Sequence, residues 1–386
     1  MSVTELRELE SQYVLPTYVR NPVQFVRGDG AQLWDDEGNQ YLDLLAGISV
    51  LNAGHCNPRV LAAIREQAGK LGHVSNLYYT EPAIRLSAAL SRSSLGGKVF
   101  LCNSGTEANE AALKLARRWR AGGEIVVLRD AFHGRTFGSL SATPQEAKQA
   151  PFAPLVPGFV TVDKDPAALA QAVGRQTAAV LLEPVQGEGG VLPLSDELLL
   201  AARQACDAAG AVLIFDEVQT GMGRTGSLWA YQQTPVTPDA LTSAKALGGG
   251  LPIGALVTGP KLAATFQPGD HASTFGGGPV VAAAALEALD ICSDPALLAR
   301  VSELGERLMD GLAALPYITS VSGRGLLIGA QVSGEVSAVE IASRALLEQR
   351  VVINATGPSR LRFEPPLVIT EAQLDEAVLR LSRLEL

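Results

Sequence analysis

The stretch from Ala211 to Gly250 constrains this chain more than any other. It opens as AVLIFDEVQTG, an apolar run short enough for a fully buried strand, ending in two adjacent carboxylates, Asp216 and Glu217. It closes as TSAKALGGG, with Lys245 just ahead of three glycines. Open α/β sheets bind ligands at the carboxyl ends of their strands, and a glycine-flanked lysine approaches a ligand closely. One side chain suits a cation and the other suits condensation with a carbonyl. Read singly, the acidic pair is a solvated strand end and the lysine a surface residue. Their chemical complementarity is what carries information.

Other segments supply matching pieces. KVFLCNSGTEANEAALKLARRW, Lys98 to Trp119, reads as strand, turn and amphipathic helix. Ser104, Gly105 and Thr106 fall at the turn, where hydroxyls and the free N–H groups of a helix N-terminus converge into a phosphate site. No G-x-x-x-x-G-K-[ST] loop occurs, which disfavours Walker-type nucleotide binding. EIVVLRDAFHGRTFGSLSAT gives a second strand leading to Phe132, His133 and Arg135; a ring there can stack on a planar ligand, and an arginine can grip a carboxylate. AAVLLEPVQGEGGV is a further buried strand carrying Glu183 and, past a glycine turn, Glu188. PIGALVTG reads as another strand, and HASTFGGGP places Ser273 and Thr274 before three glycines.

Towards the ends, QLWDDEGNQYLDLLAGISV signals a hairpin around Asp36 to Asn39, and Pro58 opens a helix whose apolar spacing runs through Leu71. An alanine-rich helix starts near Val280, after which strand and helix signals alternate as far as LRFEPPLVIT, which holds Arg362. His55 is expected to be a turn histidine bonded to backbone, since no metal-ligand partners lie near it, and no metal site is expected. Tyr78 and Tyr79 suit either a core or a partner subunit's site.

Composition bounds the partners. At 386 residues, 47% hydrophobic and 18% charged, the chain suffices for one large domain and a smaller one. A net charge of −9 argues against nucleic acid or an anionic membrane surface, so small anionic ligands need dedicated arginines. Cys56, Cys102, Cys206 and Cys292 lack disulfide-framework or zinc spacing, and no export signal or spanning apolar run is evident, so a reducing cytoplasm is the expected home.

Asp216, Val218-Gln219 and Lys245 together resemble the core of pyridoxal-phosphate enzymes of the aspartate aminotransferase fold. IFDEVQTGMGRTG, SAKALGGGLPIGA, NSGTEANE and FHGR are similar to the class III, or ω-amino-acid, aminotransferases, over about Asn21 to Ile369. The resemblance implies an α/β, fold type I architecture: a mainly parallel seven-stranded sheet in a large domain at 51–280, and a small α+β domain built from 1–50 and 281–386. It implies that Lys245 carries pyridoxal 5'-phosphate and Asp216 partners the ring nitrogen. Ser104, Gly105 and Thr106 would hold the phosphate, Phe132 would stack on the ring, and His133, Glu183 and Gln219 would lie at the cofactor. Thr274 would reach the neighbouring subunit's cofactor phosphate across a homodimer interface. Arg135 would bind the carboxylate remote from the reacting amine, and Arg362 a second carboxylate, with Glu188 as its removable partner.

The implied reaction moves a terminal amine to 2-oxoglutarate and releases glutamate. Ornithine aminotransferases carry a tyrosine where GISV places Ile48, and that hydroxyl helps hold a free α-amine. Ile48 therefore points to an acylated α-amine: acetylornithine, succinylornithine, acetyl-lysine or carrier-linked lysine. Ornithine transamination and an aminomutase remain as alternatives on the same cofactor residues. A non-catalytic cofactor-binding protein, the alternative from another class, would not need Lys245 together with two specificity arginines.

Overall fold

The computed structural model describes residues 1–334 and 336–386. Its central sheet has seven strands in the order Val99–Cys102, Gly254–Thr258, Ala240–Ser243, Val212–Asp216, Thr177–Leu182, Glu124–Leu128, Phe159–Val162. Val212–Asp216 runs parallel to both neighbours, as does Glu124–Leu128, whereas Gly254–Thr258 is antiparallel to the strands on either side. The expected mainly parallel sheet is thus observed. Every residue of Thr177–Leu182, Val212–Asp216 and Ala240–Ser243 is buried, because helices cover both faces and neither face can be polar.

Successive side chains of Val212–Asp216 divide between two layers. Ile214 packs with Ala111, Ala112, Leu115 and Ala116 of helix Gly105–Trp119, whose small residues let helix and sheet approach closely. Leu213 and Phe215 pack with Leu198, Leu199, Ala202 and Cys206 of helix Asp196–Ala209 on the other face. Burial of each such leucine contributes about 1.5–3 kcal/mol. The strand's last residue, Asp216, is consequently fixed from both sides at the sheet's carboxyl edge.

Both chain ends meet in one small sheet. Phe25–Asp29, Gln32–Asp35 and Gln40–Asp43 form an antiparallel meander, and Val351–Val352 pairs in parallel with Gln40–Asp43. The hairpin expected at Asp36 to Asn39 is present: the Asp35 carboxylate accepts N–H bonds from Asn39 at 2.7 Å and Glu37 at 3.1 Å, and Gly38 takes φ 85°. Ile318–Arg324, Leu327–Val332, Arg360–Phe363 and Asn354–Gly357 form a second four-stranded antiparallel sheet.

One local element lies outside the sequence reading, and two details differ from expectation. The polar first residues form a helix, Val3–Tyr13, started by a Ser2–Glu5 capping box. The helix that begins at Pro58 stops at Ala68, capped by Gly69, short of Leu71. The His55 ring bonds the Asp43 carboxylate at 2.7 Å instead of backbone, while its own main chain pairs with Gly30. Among the described residues no group of side chains could hold a metal ion, and no helix is long and apolar enough to cross a membrane.

Candidate active site

A cavity of about 500 Å³ opens at the carboxyl edge of the central sheet. Its wall brings together Ser104, Gly105, Thr106, Phe132, His133, Arg135, Glu183, Asp216, Gln219 and Lys245, from segments far apart in the chain. Lys245 follows strand Ala240–Ser243 and begins a single 3-10 turn, Lys245–Gly248, with φ 38°. Left-handed backbone is strained for a non-glycine residue and is retained where surrounding structure over-determines it. Burial lowers the Lys245 pKa below its usual range, with Glu364 the strongest counterweight. Among the described residues no carboxylate lies within ion-pair distance of its Nζ.

The twin carboxylates part company. Asp216 Oδ2 accepts from Asn109 Nδ2 at 2.7 Å and from His133 Nδ1 at 2.8 Å, and Oδ1 accepts from the Val218 N–H at 3.0 Å. Thr242 Oγ1 donates to Asn109 Oδ1 at 2.8 Å, which fixes the amide so that its NH2 faces Asp216. Glu217 instead receives the N–H groups of Ala230 at 2.6 Å and Tyr231 at 2.9 Å, tying down a loop. Burial pushes its pKa up to about 7. Glu217 does not line the cavity.

Helix Gly105–Trp119 brings its N-terminus to the same cavity wall. The Ser104 hydroxyl caps it by accepting from the Glu107 N–H at 3.3 Å, and Thr106 Oγ1 bonds Thr136 Oγ1 at 2.7 Å. A Cβ on Gly105 would sit 2.7 Å from Val218, so only glycine lets this turn close against the segment after Asp216. Phe132 presents a half-buried ring, with the Arg135 guanidinium 5.5 Å and Lys148 Nζ 5.3 Å from its centroid. Glu183 accepts from the Phe132 N–H at 2.9 Å and is pushed by burial up to about 7.

Glu188, Arg362 and Thr274 do not form the cavity wall. Arg362, 1% exposed, donates from Nη1 to Glu188 Oε1 at 2.7 Å and faces Glu364 Oε2 at 3.4 Å. Burial opposes the Glu188 charge, yet Arg362 outweighs it and holds the carboxyl below its usual range. Both charges bear on the Lys245 ammonium, Arg362 disfavouring and Glu188 favouring its charged form. Thr274 is exposed, on the same loop as Ser273, whose hydroxyl accepts from Asn103 Nδ2 at 3.2 Å.

The residue of the expected specificity position lies in an unusual turn. Ala46, Gly47, Ile48 and Ser49 have φ of 50°, 63°, 67° and 57°. Left-handed backbone costs about 1–2 kcal/mol per non-glycine residue and is exceptional for a β-branched one. Asp43 Oδ1 offsets part of that cost by accepting the N–H groups of Leu45 and Ala46, both at 2.9 Å. Val50, just beyond, lines the cavity, and Ile48 is 36% exposed.

These residues fit pyridoxal phosphate on their own chemistry: an amine for its carbonyl, a buried carboxylate for its ring nitrogen, a phenyl ring for its face, a helix N-terminus for its phosphate. His133 Nε2, buried without a hydrogen-bond partner among the described residues, offers such a group a further polar contact. Fold and site together define a fold type I enzyme that works through pyridoxal phosphate.

A family model described as aminotransferase class-III matches residues 14–384. A relative from Caldanaerobacter subterraneus named acetylornithine aminotransferase is 45% identical over 96% of each chain. One of the same name from Methanocaldococcus jannaschii is 44% identical, covering 98% of this chain and 97% of its own. The crystal structure of N-acetylornithine aminotransferase from Stenotrophomonas maltophilia superposes with a TM-score of 0.82 at 39% identity, covering 97% of both chains. That of ornithine aminotransferase from Toxoplasma gondii reaches 0.94 at 34% identity, covering 99% of this chain and 94% of its own. A further structure of the Toxoplasma enzyme records pyridoxal phosphate at its active site. This chain belongs to the class-III aminotransferase family, whose members depend on that cofactor.

Proposed function

We propose that the protein transfers the terminal amine of N-acetylornithine to 2-oxoglutarate, giving N-acetylglutamate 5-semialdehyde and glutamate, a step that serves arginine biosynthesis. The observation that carries this reading is the Arg362–Glu188 pair: a buried cation whose partner keeps 27% of its side chain exposed, near a site that also holds the exposed Arg135. Two relatives named for acetylornithine, matched nearly end to end, support it.

Pyridoxal phosphate, when bound, supplies the carbonyl with which amines condense and a ring that takes up electrons from a broken C–H bond. Lys245 would hold the cofactor covalently and, once displaced by substrate, carry the proton between carbon positions; a pKa already lowered by burial suits it to that exchange. Asp216 would hold the proton on the ring nitrogen, with Asn109 and His133 fixing its orientation. Phe132 would cover the ring face, Glu183 and Gln219 would lie at the cofactor's edge, and Ser104, Gly105 and Thr106 would bind the phosphate.

One site has to accept two differently shaped substrates. Glutamate reacts at its α-amine, so its α-carboxylate lies beside the reacting carbon and calls for Arg362, while its side-chain carboxylate reaches Arg135. Acetylornithine reacts at the other end and places its only carboxylate at Arg135. Arg362 then has no substrate anion, and its buried guanidinium would be left with only the more distant Glu364 carboxylate, so Glu188 stays on it. Single-turnover kinetics test this. Arg135→Ala is expected to slow both half-reactions, Arg362→Ala chiefly the glutamate half, and Glu188→Ala chiefly the acetylornithine half, each by roughly 10–100-fold, the range of about 1.4–3 kcal/mol. Equal slowing of both halves by Glu188→Ala would make Glu188 a structural acid.

The acyl preference has its own test. Ile48 supplies no hydrogen-bond acceptor for a charged α-ammonium, so kcat/KM for N-acetylornithine is expected to exceed that for ornithine by at least about tenfold. Equal use of ornithine contradicts the assignment. We also propose that the two four-stranded sheets belong to a small domain formed by 1–50 and 281–386 around a large domain at 51–280. A homodimer is supported by Tyr78, Tyr79 and Phe275, exposed at 71%, 95% and 66%, and Thr274, exposed next to Phe275, would serve a neighbouring subunit. Four free cysteines, three of them buried, accord with a cytoplasmic setting.

A further inference from the structure

The Arg362 guanidinium faces two carboxylates of different kinds. Glu188 keeps part of its side chain in solvent, whereas Glu364 is 0% exposed and tied down on several sides. Residues 362 and 364 lie two apart at the end of strand Arg360–Phe363, so both side chains project to the same face. Glu364 Oε1 accepts from Ser49 Oγ at 3.0 Å and from Gln219 Nε2, and its backbone N–H donates to Leu44 O at 2.7 Å. Oε2 makes no hydrogen bond among the described residues, and its one ion-pair contact there is Arg362 Nε at 3.4 Å. Glu364 thus joins the left-handed turn bearing Ile48, the segment after Asp216, and Arg362.

We propose that Glu364 is the fixed counter-charge of Arg362, a positioning residue that weakens the guanidinium's hold on anions so that Glu188, and then a product carboxylate, can leave it. This rests on the reading of Arg362 as the anion-binding group. A lone buried guanidinium would bind the first carboxylate it met too tightly to alternate between an internal and an external partner. A second carboxylate that cannot swing out neutralises the guanidinium when its exchangeable partner is away and adds a repelling charge when that partner is seated, so both effects favour release. It also acts as the strongest counterweight to the burial that lowers the Lys245 pKa, so the same group tempers both cations of the site.

The test uses glutarate, a dicarboxylate with neither carbonyl nor amine to react, titrated calorimetrically into holoenzyme and checked as a competitive inhibitor against 2-oxoglutarate. In a Glu188→Ala background, where the internal competitor is gone, adding Glu364→Gln is expected to tighten glutarate binding roughly tenfold, because the amide keeps an acceptor oxygen for Ser49 and Gln219 but drops the charge. With Glu188 in place the gain is smaller, since Glu188 is held more tightly too. Unchanged or weaker binding in the double variant, with Arg362→Ala abolishing glutarate binding, overturns the proposal and leaves the anion-site reading intact. Glutarate binding that survives Arg362→Ala overturns that reading and this inference with it. If Glu364→Gln is insoluble, Glu364→Ala in the same background carries the same expectation.

Discussion

Lys245→Ala protein is expected to lose turnover by a factor on the order of 10⁴ or more, while keeping its fold. Among the described residues Lys245 is the one lysine in the cavity wall, so no neighbouring amine stands ready to take over. Lys148 is the nearest substitute in kind, but its Nζ lies over the Phe132 ring, which the Arg135 guanidinium also approaches. The fold should survive because Lys245 forms no ion pair among the described residues and its charge is opposed by burial; removing it relieves a desolvation cost instead of breaking a bond. Steady-state assays with N-acetylornithine and 2-oxoglutarate, free of small amines, together with a thermal melt, check both halves of the expectation. Activity within tenfold of the parent would remove Lys245 from the chemistry altogether.

The sequence made the scaffold legible wherever one physical rule dominated. Strands buried on both faces read as apolar runs, so AVLLEP and AVLIFDEV announce themselves, and the carboxylate closing each run marks the sheet's ligand-binding edge. The Ser104–Thr106 cap was readable from local helix chemistry. What escaped is equally specific. Asn109 sits on the apolar face of its helix, among Ala108, Ala112 and Leu113, and a polar residue in that position was the available signal for a partner to a buried charge. Glu364, inside FEPP, looks like a solvated acid; nothing nearby announces that Ser49 and Gln219 converge on it from far along the chain. The turn at Ala46–Ser49 runs against the backbone preference of its own β-branched residue, so it is held by Asp43 and by tertiary packing that no local pattern encodes. The division of labour between Asp216 and Glu217 likewise depends on which donors surround each, and adjacency alone gave no choice between them.

Asp216→Asn should lower kcat by about 10³ in both half-reactions alike, with the fold retained. Asp216 accepts three hydrogen bonds, two on Oδ2 from Asn109 and His133 and one on Oδ1 from the Val218 N–H. An asparagine oxygen can satisfy one side only. Placed toward Asn109 and His133, it turns its NH2 against the Val218 N–H; placed the other way, it sets NH2 against two donors. Either choice leaves donors facing one another in a buried site, at about 1–3 kcal/mol, which a melt will register as a modest loss. The larger loss is catalytic. In the proposed role the carboxylate charge would hold a proton on the ring nitrogen, and that proton would be needed each time a C–H bond is broken, whichever substrate is bound. Symmetry between the halves therefore separates Asp216 from Arg362 and Glu188, whose variants divide by substrate. Single-turnover rates measured with acetylornithine and with glutamate on the same preparation decide the matter: near-parent rates in both would make Asp216 a strand-end acid held in place for structure, and a loss confined to one half would assign it to substrate recognition.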